Sequence, residues 1–334
     1  MPVEILPLNE SQIKEAVSGW LLPEDAALFH EAIATRRGAS SDLADRPLFL
    51  AHLVTAFKRQ GRVPERPVEL CRTIVRLVLQ DWDEARGVQR LSTYAGFGAE
   101  EKVDLLSEVA YRLLIGNKIR FGEEDMESIL KDIAPAFGLP ENETRKISRE
   151  IESHTGLIVQ VGRYYEFSHL SIQEFLAGNC LARRPSYNMY REVWDHPELA
   201  AVATALTSDP SAVLEGITSA HILSGDELAS MHQFLRRLYL ERPRFVPTRN
   251  LGLAILRMIT VSGTFDTETY ESLLGIETVR QSLRDIMEDL PDCVEQGAFV
   301  YFTESQTFDR PERYRAPIGF VERVLGRPAQ QVST

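Results

Sequence analysis

Few residues of this chain have the types and spacing that enzyme chemistry requires. A phosphate-binding loop follows the pattern GxxxxGK[ST], because its backbone N–H groups and its lysine hold nucleotide phosphates. The nearest approximation, Gly96 to Lys102, differs in spacing and lacks the final hydroxyl residue. No apolar strand ends in paired acidic residues that would bind Mg²⁺. The sequence therefore predicts that this chain alone does not hydrolyse ATP.

Other catalytic and metal-binding patterns are also missing from the sequence. It contains no HExxH and no GxSxG motif, and its seven histidines are scattered. The three cysteines, Cys71, Cys180 and Cys293, have no CxxC spacing and no histidine at a metal-ligand interval. We interpret them as buried or idle thiols in a reducing cytoplasm. The sequence thus predicts no catalytic residue and no metal site.

Composition and charge narrow the class of protein. A chain of 334 residues is long enough for more than one core. A formal net charge of -12 argues against tight nonspecific binding to nucleic acid or anionic lipid. The densest basic clusters are short, and we interpret each as a solvated surface: Arg36-Arg37, Arg183-Arg184, Arg236-Arg237 and the stretch from Arg310 to Arg315. Without a signal sequence or a long apolar run, the expectation is a cytoplasmic protein that does not enter membranes.

Apolar residues at helical spacing predict a series of helices in the first half of the chain. Asn9 or Ser11 is a plausible N-cap of the first helix, and a second is expected from Asp25 to Arg36. Pro47 suits the first position of a third helix, where its missing N–H is no loss.

The next helix has the apolar stripe of a buried face. It runs through Cys71, Ile74 and Trp82 and is expected to end near Gly87. The same argument predicts helices through Val103 to Leu113 and through Met126 to Ile133, then a charged helix from Asn142 to Ser153.

After the charged helix the apolar period changes to two, which predicts a short β-hairpin. Leu157, Val159 and Val161 lie at alternate positions, Gly162-Arg163 fits a two-residue turn, and Tyr165 and Phe167 continue the alternation. Ser171 to Glu174 matches the capping box of another helix. A winged-helix domain has several helices followed by a hairpin. The predicted elements follow this order, with the charged helix just before the hairpin.

The rest of the chain predicts more helices from about Tyr187 to Leu290, without a fixed repeat period; a solenoid of helix pairs stays open. Phe299 to Phe302 predicts one strand, followed by a frayed tail. The predicted fold is mainly α. It comprises a helical domain over residues 1–62, a winged-helix domain over 63–184, a C-terminal helical domain over 185–297, and a strand and tail over 298–334.

Several blocks of the first half resemble the NACHT family of signal-transduction (STAND) NTPases, which includes NOD-like receptors and bacterial NACHT proteins. Tyr165 to Gly178 is similar to the family's winged-helix signature, Phe-x-His-x-x-x-Gln-Glu-[Phe/Tyr] after a hairpin. Further blocks follow the family order at near-family spacing: Ile5 to Asn9, the proline motif Leu43 to Leu50, Val63 to Leu70 with Trp82 to Arg86, and the hairpin entry at Gly156. The resemblance covers about half of the chain.

The resemblance implies that this part follows an ATPase core whose phosphate loop lies upstream. Pro47 would pack against adenine and His169 would reach the β-phosphate of ADP, so that the winged helix clamps the inactive state. If Ser168 caps the helix, His169 lies in its first turn, where free N–H groups favour an anion. Each of these nucleotide contacts has a structural alternative. Pro47 could be only a proline that starts a helix, and His169 could be only a hydrogen-bonded hinge residue. Asp45 departs from the small residue that the family usually has two places before the proline.

The resemblance also implies partners. ADP or ATP is expected only together with a P-loop core, joined in cis or supplied in trans. A protein or ligand trigger would act through the C-terminal helical region, with oligomerisation on activation, in innate immunity or antiphage defence.

Two other functions stay open. One is a stand-alone adaptor that binds no nucleotide. The other is a winged-helix DNA-binding regulator, whose recognition helix would carry Arg145, Lys146 and Arg149 beside four glutamates.

Overall fold

A computed structural model describes residues 7–34, 44–64, 66–81, 93–94, 97–184, 186–220, 225–262, 275–290, 292–296, 299–304 and 312–327. The chain divides into two compact units, Met1–Leu181 (unit 1) and Ala182–Thr334 (unit 2). Both are mainly helical, as predicted, and each described part contains a three-stranded antiparallel sheet. No helix of the described segments is long and apolar enough to cross a membrane.

Unit 1 begins with helices α1 (Glu10–Trp20), α2 (Pro23–Ala34), α3 (Pro47–Gln60) and α4 (Pro67–Arg76). Asn9 caps α1 in a capping box, because its Oδ1 accepts the Gln12 N–H at 2.9 Å and its own N–H donates to Gln12 Oε1 at 3.0 Å. Pro47 begins α3, as predicted from its lack of an N–H. The second helix begins two residues before the predicted Asp25.

Helix α4 buries the predicted apolar stripe, including Cys71 and Ile74. It does not continue as an α-helix toward Gly87, because residues Leu77–Asp81 form a π-helical turn. Trp82 and Gly87 lie outside the described residues.

The remainder of unit 1 alternates helices with short strands. In chain order these are α5 (Ala99–Ile115), β1 (Arg120–Phe121), α6 (Glu123–Ile133), α7 (Thr144–Thr155), β2 (Ile158–Val161), β3 (Tyr164–Phe167) and α8 (Leu170–Ala182). The sheet order is β1-β3-β2, so the predicted hairpin gains a third strand, with Phe121 opposite Tyr165. A strand of two residues is too short to show an alternating pattern, which is why the sequence did not reveal β1.

The hairpin itself is confirmed, but its predicted alternation is wrong in β2. The turn residue Gly162 has φ 67°, the left-handed conformation that glycine tolerates. The two-residue turn places Val161 opposite Tyr164, so these side chains share a face and both are exposed. Ile158 opposite Phe167 is buried instead. The prediction had counted Val161, and not Ile158, in the apolar series that Tyr165 and Phe167 continue.

An ion pair buried in unit 1 joins α5 to α7. Lys102 Nζ lies 3.4 Å from Glu150 Oε1, and both side chains are less than a tenth exposed. Glu150 Oε2 also accepts the backbone N–H of Thr93 at 3.1 Å. Next to Thr93, the Tyr94 hydroxyl donates to Glu143 Oε2 at 2.9 Å. Desolvation, followed by this carboxylate, raises the pKa of Tyr94 to about 12.

Unit 2 is built from helices α9 (Ser186–Asp195), α10 (Pro197–Leu206), α11 (Pro210–Ala220), α12 (Gly225–Glu241), α13 (Arg249–Ser262) and α14 (Glu277–Asp289). Helix α10 is almost wholly buried and packs against α9 and α12. Helices α13 and α14 approach so closely at Gly252 that an added Cβ would lie 2.4 Å from the Ser282 carbonyl oxygen. Glycine at this position allows the two backbones to meet.

The predicted single strand and frayed tail are corrected by the second sheet. Strands β4 (Asp292–Gln296), β5 (Phe299–Glu304) and β6 (Glu312–Pro317) pair in the order β4-β5-β6, and helix α15 (Ile318–Leu325) follows. One face buries Val300, Phe302, Tyr314 and Ala316. At the outer edge of β6, Thr260 Oγ1 accepts the Arg315 N–H at 2.9 Å and donates to the Arg315 carbonyl at 3.3 Å. The sheet thus includes residues on both sides of position 298.

Candidate functional site

The start of helix α8 carries His169, the first predicted site residue. The His169 carbonyl accepts the N–H groups of Ile172 and Gln173, so His169 is the residue that precedes the first helical residue, Leu170. Its ring Nδ1 accepts the Ser171 N–H at 3.1 Å. His169 therefore caps the helix with its own side chain.

This arrangement corrects the predicted capping. Ser171 was expected to cap the helix and Ser168 was the alternative, but Ser171 lies inside the helix as the donor to His169. The Ser168 backbone N–H donates to the Leu157 carbonyl at 2.8 Å, which ties the chain before α8 to the entry of β2. Its hydroxyl Oγ is buried without a hydrogen-bond partner among the described residues. The imidazole occupies the position in which the sequence predicted a hydroxyl.

The hydrogen bond to Ser171 decides how a neutral His169 ring is protonated. Since Nδ1 accepts, the proton of the neutral imidazole lies on Nε2. An Nε2–H is a donor of the kind that binds a phosphate oxygen. The ring is half-buried, and Leu170 beside it is exposed at 43%. The cap therefore fixes both the orientation and the donor atom of His169.

The start of helix α3 carries Pro47, the second predicted site residue. Pro47 is half-buried, and the exposed Arg46 before it is the N-cap residue, with no side-chain capping hydrogen bond. Arg46 Nε lies 3.8 Å from Asp45 Oδ1. The Asp45 carbonyl accepts the Leu8 N–H at 2.6 Å, so the segment before α1 is held against this helix start.

The first turn of α3, which Pro47 begins, contacts His169 through Phe49. Phe49 lies in the first turn of α3, two residues after Pro47, and is 2% exposed. Its ring meets the His169 ring edge to face, with centroids 5.7 Å apart. The N-terminal ends of α3 and α8 therefore lie side by side. Helix N-termini expose backbone N–H groups and the positive end of the helix dipole, so two adjacent ones favour an anion.

Neighbouring elements hold the start of α8 in place. Cys71 of α4 donates its S–H to the Ser171 carbonyl, with Sγ and O 3.7 Å apart. Gln173, which is 1% exposed, donates its Nε2–H to the Lys118 carbonyl at 3.1 Å. Gln173 is thus a structural residue that holds the start of α8 to the Lys118 carbonyl.

Phe49 and Arg46 are the residues that sequence reasoning missed. Phe49 looked like one apolar residue among many in an almost wholly apolar helix. Only its position two residues after Pro47 could have indicated a role near the site. Arg46 directly precedes the proline and was not singled out, although a cation at a helix start is unusual.

A buried histidine lies further along α3. His52 is 6% exposed, and desolvation lowers its pKa below the usual value, which favours the neutral imidazole. His52 was not predicted as a site residue, because a single histidine in an apolar helix has no distinguishing spacing.

The described segments contain no group of three or more His, Cys, Asp and Glu residues that could hold a metal ion. The chain matches no protein-family model, and a search of curated proteins found no match either.

Proposed function

We propose that unit 1 is the regulatory part of a NACHT-type signalling ATPase and closes over ADP held by a P-loop core that is not in this chain. In this proposal His169 donates a hydrogen bond to the β-phosphate, and Pro47 packs against the adenine. The observation that carries the proposal is the contact between Phe49 and His169, which joins the starts of α3 and α8.

The protonation of His169 supports its proposed role. A phosphate is an acceptor, so the group that meets it must donate, and Nε2–H does so while Nδ1 is engaged with Ser171. Arg46 adds a cation at the same helix start as Pro47. Neither group binds a nucleotide tightly by itself, because most nucleotide affinity in such ATPases comes from the phosphate loop. The chain is accordingly proposed to be inactive as an ATPase unless it is joined to that core.

The arrangement of α5, β1, α6, α7, β2 and β3 supports the proposed winged-helix domain. This fold requires a helix, a short strand, two further helices and a hairpin, in that order, with the first strand paired to the hairpin. The elements from α5 to β3 follow the same order and pairing. We propose that the hairpin and α8 move as one body when the nucleotide state changes, since Ser168 connects them by backbone hydrogen bonding to Leu157.

The DNA-binding alternative is less well supported because cations of α7 are paired with carboxylates. Arg145 Nε donates to Glu127 and also lies 3.7 Å from Glu123, while Lys146 Nζ lies 3.1 Å from Glu143. The pKa of Glu143 is lowered by Lys146 and then by Tyr94, as expected for a paired carboxylate. Phosphate binding requires cations that are available to exchange their counterions. A salt-dependent shift of duplex DNA by the full chain would restore this alternative.

The test measures ADP release. The chain is expressed together with a P-loop NTPase core, either fused before its first residue or supplied as a separate polypeptide, and loaded with a fluorescent ADP analogue. His169→Ala is expected to speed release about tenfold or more, because a hydrogen bond to a charged group contributes about 1.5 to 3 kcal/mol.

His169→Asn separates the phosphate role from the capping role. Asparagine is a good N-cap and its Oδ1 can accept the Ser171 N–H, but it is too short to replace the imidazole toward a phosphate. If His169 binds the nucleotide, His169→Asn retains the thermal stability of the parent and still releases ADP quickly. If His169→Asn holds ADP as the parent does, His169 is only a cap. If no ADP is retained by the parent with any core, the nucleotide proposal is wrong and the adaptor alternative is favoured.

A further inference from the structure

The stretch from the end of α3 to the end of α4 is basic, although the chain as a whole is acidic. Residues 58–76 contain six arginines and lysines and only two glutamates, whereas the net charge of the chain is -12. Most of these cations are three or more residues apart in sequence. Only the fold of α4 therefore shows which of them lie together.

Helix α4 gathers charged side chains on its outer face. Arg66 is its N-cap residue, and Glu69, Arg72 and Arg76 follow at intervals of three or four residues, which places all four on one side of the helix. Arg72 and Arg76 are exposed, while the other side of the helix is apolar and buried. We name Arg66, Arg72 and Arg76 the arginine cluster.

One carboxylate faces the arginine cluster among the described residues of this face. Arg66 Nη1 donates to Glu69 Oε1 at 3.2 Å, so this carboxylate is already engaged. In the described part of the chain, Arg72 and Arg76 have neither a hydrogen bond nor an ion pair. Desolvation lowers the pKa of Arg72 and so does the charge of Arg76, whereas Glu69 raises it and Arg66 lowers it. Three cations against one carboxylate leave this face positive.

A phosphate monoester matches two neighbouring arginines better than a carboxylate does. Side chains four residues apart on a helix are neighbours, about 5 to 6 Å apart at Cβ, so Arg72 and Arg76 can reach one small group. A phosphate monoester brings nearly two negative charges and three acceptor oxygens at pH 7, whereas a carboxylate brings one charge and two oxygens. Guanidinium groups bind phosphate oxygens through paired N–H donors.

We propose that Arg72 and Arg76, with Arg66 beside them, bind the dianion of a phosphate monoester, either as a free compound or as a phosphorylated side chain of a partner protein. This site is separate from the one proposed for the nucleotide. Cys71, whose S–H meets the start of α8, lies on the buried side of α4, whereas Arg72 and Arg76 lie on its exposed side. The site therefore needs no ATPase core.

Titration of the full chain with small phosphates tests the proposal. The probes are methyl phosphate, a phosphoserine peptide and, as the monoanionic control, dimethyl phosphate, and NMR of the arginine Nε–H groups follows each titration. We expect both monoesters to bind saturably and dimethyl phosphate to bind about tenfold more weakly. Binding of the monoesters should weaken below about pH 6, where they lose their second charge. A peptide that binds more tightly than methyl phosphate indicates a phosphorylated protein as the source, and equal binding indicates a free compound.

A double variant removes the two arginines without an ion pair. Arg72→Gln with Arg76→Gln is expected to weaken methyl phosphate binding about tenfold or more, because two charge-assisted contacts are lost. The matched control is Lys131→Gln with Arg163→Gln. It removes the same number of charges at exposed positions of α6 and the hairpin turn, so it should bind as the parent does. Unchanged circular dichroism shows that the variants fold.

Glu69→Gln gives the opposite outcome. It removes the carboxylate that competes for Arg66, so methyl phosphate should bind severalfold more tightly. The proposal is overturned if the parent binds no methyl phosphate, or if the arginine double variant binds it as the parent does. It is also overturned if the titration shifts the Ser171 amide and not the arginine cluster, since the anion would then lie at the start of α8.

Discussion

Helices in unit 1 and unit 2 are held together by different kinds of contact. In unit 1, α5 is joined to α7 by the buried pair Lys102 and Glu150, and to α8 by the Asn179 side chain, which donates to Ser107 Oγ at 3.1 Å. These links are polar and directional, and each depends on both partners.

In unit 2 two helix contacts are distinguished by how tightly they pack, beside hydrogen bonds such as the one from Ser230 Oγ to the Trp194 carbonyl at 3.0 Å. An added Cβ at Gly252 would meet the Ser282 carbonyl, and one at Gly216 would lie 1.9 Å from the Tyr190 hydroxyl. These contacts tolerate no extra atom. Unit 1 should therefore be damaged most by removing a group, and unit 2 by adding one.

Lys102→Met should produce the largest loss of stability. It leaves Glu150 buried without the lysine charge, and breaking a buried ion pair on one side costs about 3 to 5 kcal/mol. Hydrogen exchange by mass spectrometry measures the loss, because peptides of α5 and α7 report on unit 1 apart from unit 2.

The double variant Lys102→Met with Glu150→Leu is the control for this prediction. Replacing both members of a buried pair by apolar residues is often neutral, so most of the lost protection should return. A double variant as unstable as the single one would show that the pair is not what links α5 to α7.

Gly252→Ala should have a smaller effect, on unit 2. The methyl group would lie 2.4 Å from a backbone oxygen and 3.0 Å from Ile286 Cγ2, so α13 and α14 must separate, at a cost of about 2 kcal/mol. Denaturant unfolding and exchange in α13 and α14 peptides measure it. Gly319→Ala is the matched control in α15. It meets no atom within 4 Å, and alanine favours a helix by up to about 1 kcal/mol. Equal stability of the two variants would contradict the steric account.

The sequence predicted the parts of the fold that depend on neighbouring residues. Pro47 indicated the start of α3, and Gly162 indicated the hairpin turn, because the conformational limits of proline and glycine act locally. The cap of α8 was not predictable, since a histidine caps only when its ring is turned toward the helix, and packing on Phe49 fixes that turn.

Contacts between distant segments explain the other differences. That the starts of α3 and α8 lie together was implied only by a family resemblance, because nothing in the local sequence of Pro47 and His169 relates them. Strands β4 and β6 of the second sheet were not predicted, for a similar reason. Its residues become recognisable as strands only when β4 and β6 pair with β5 and bury Phe302 against the helices.

The smallest expected effect is a pH dependence in unit 1, which would sharpen the contrast with the steric contacts of unit 2. Burial lowers the pKa of His52 in the folded state, so below its unfolded value of about 6.5 the unfolded chain binds more protons. The contribution of His52 to stability is full above that value and is lost as pH falls toward its folded pKa. His52→Gln cannot titrate, so its loss of stability between about pH 7.5 and pH 5.5 should be smaller than that of the parent, by at most about 1.4 kcal/mol, the limit that a reference pKa of about 6.5 sets over this range. The pKa of His30 is also lowered, so part of the slope should remain. Urea unfolding midpoints at the two pH values measure the difference, and parallel slopes in parent and variant would mean that His52 does not cause the dependence.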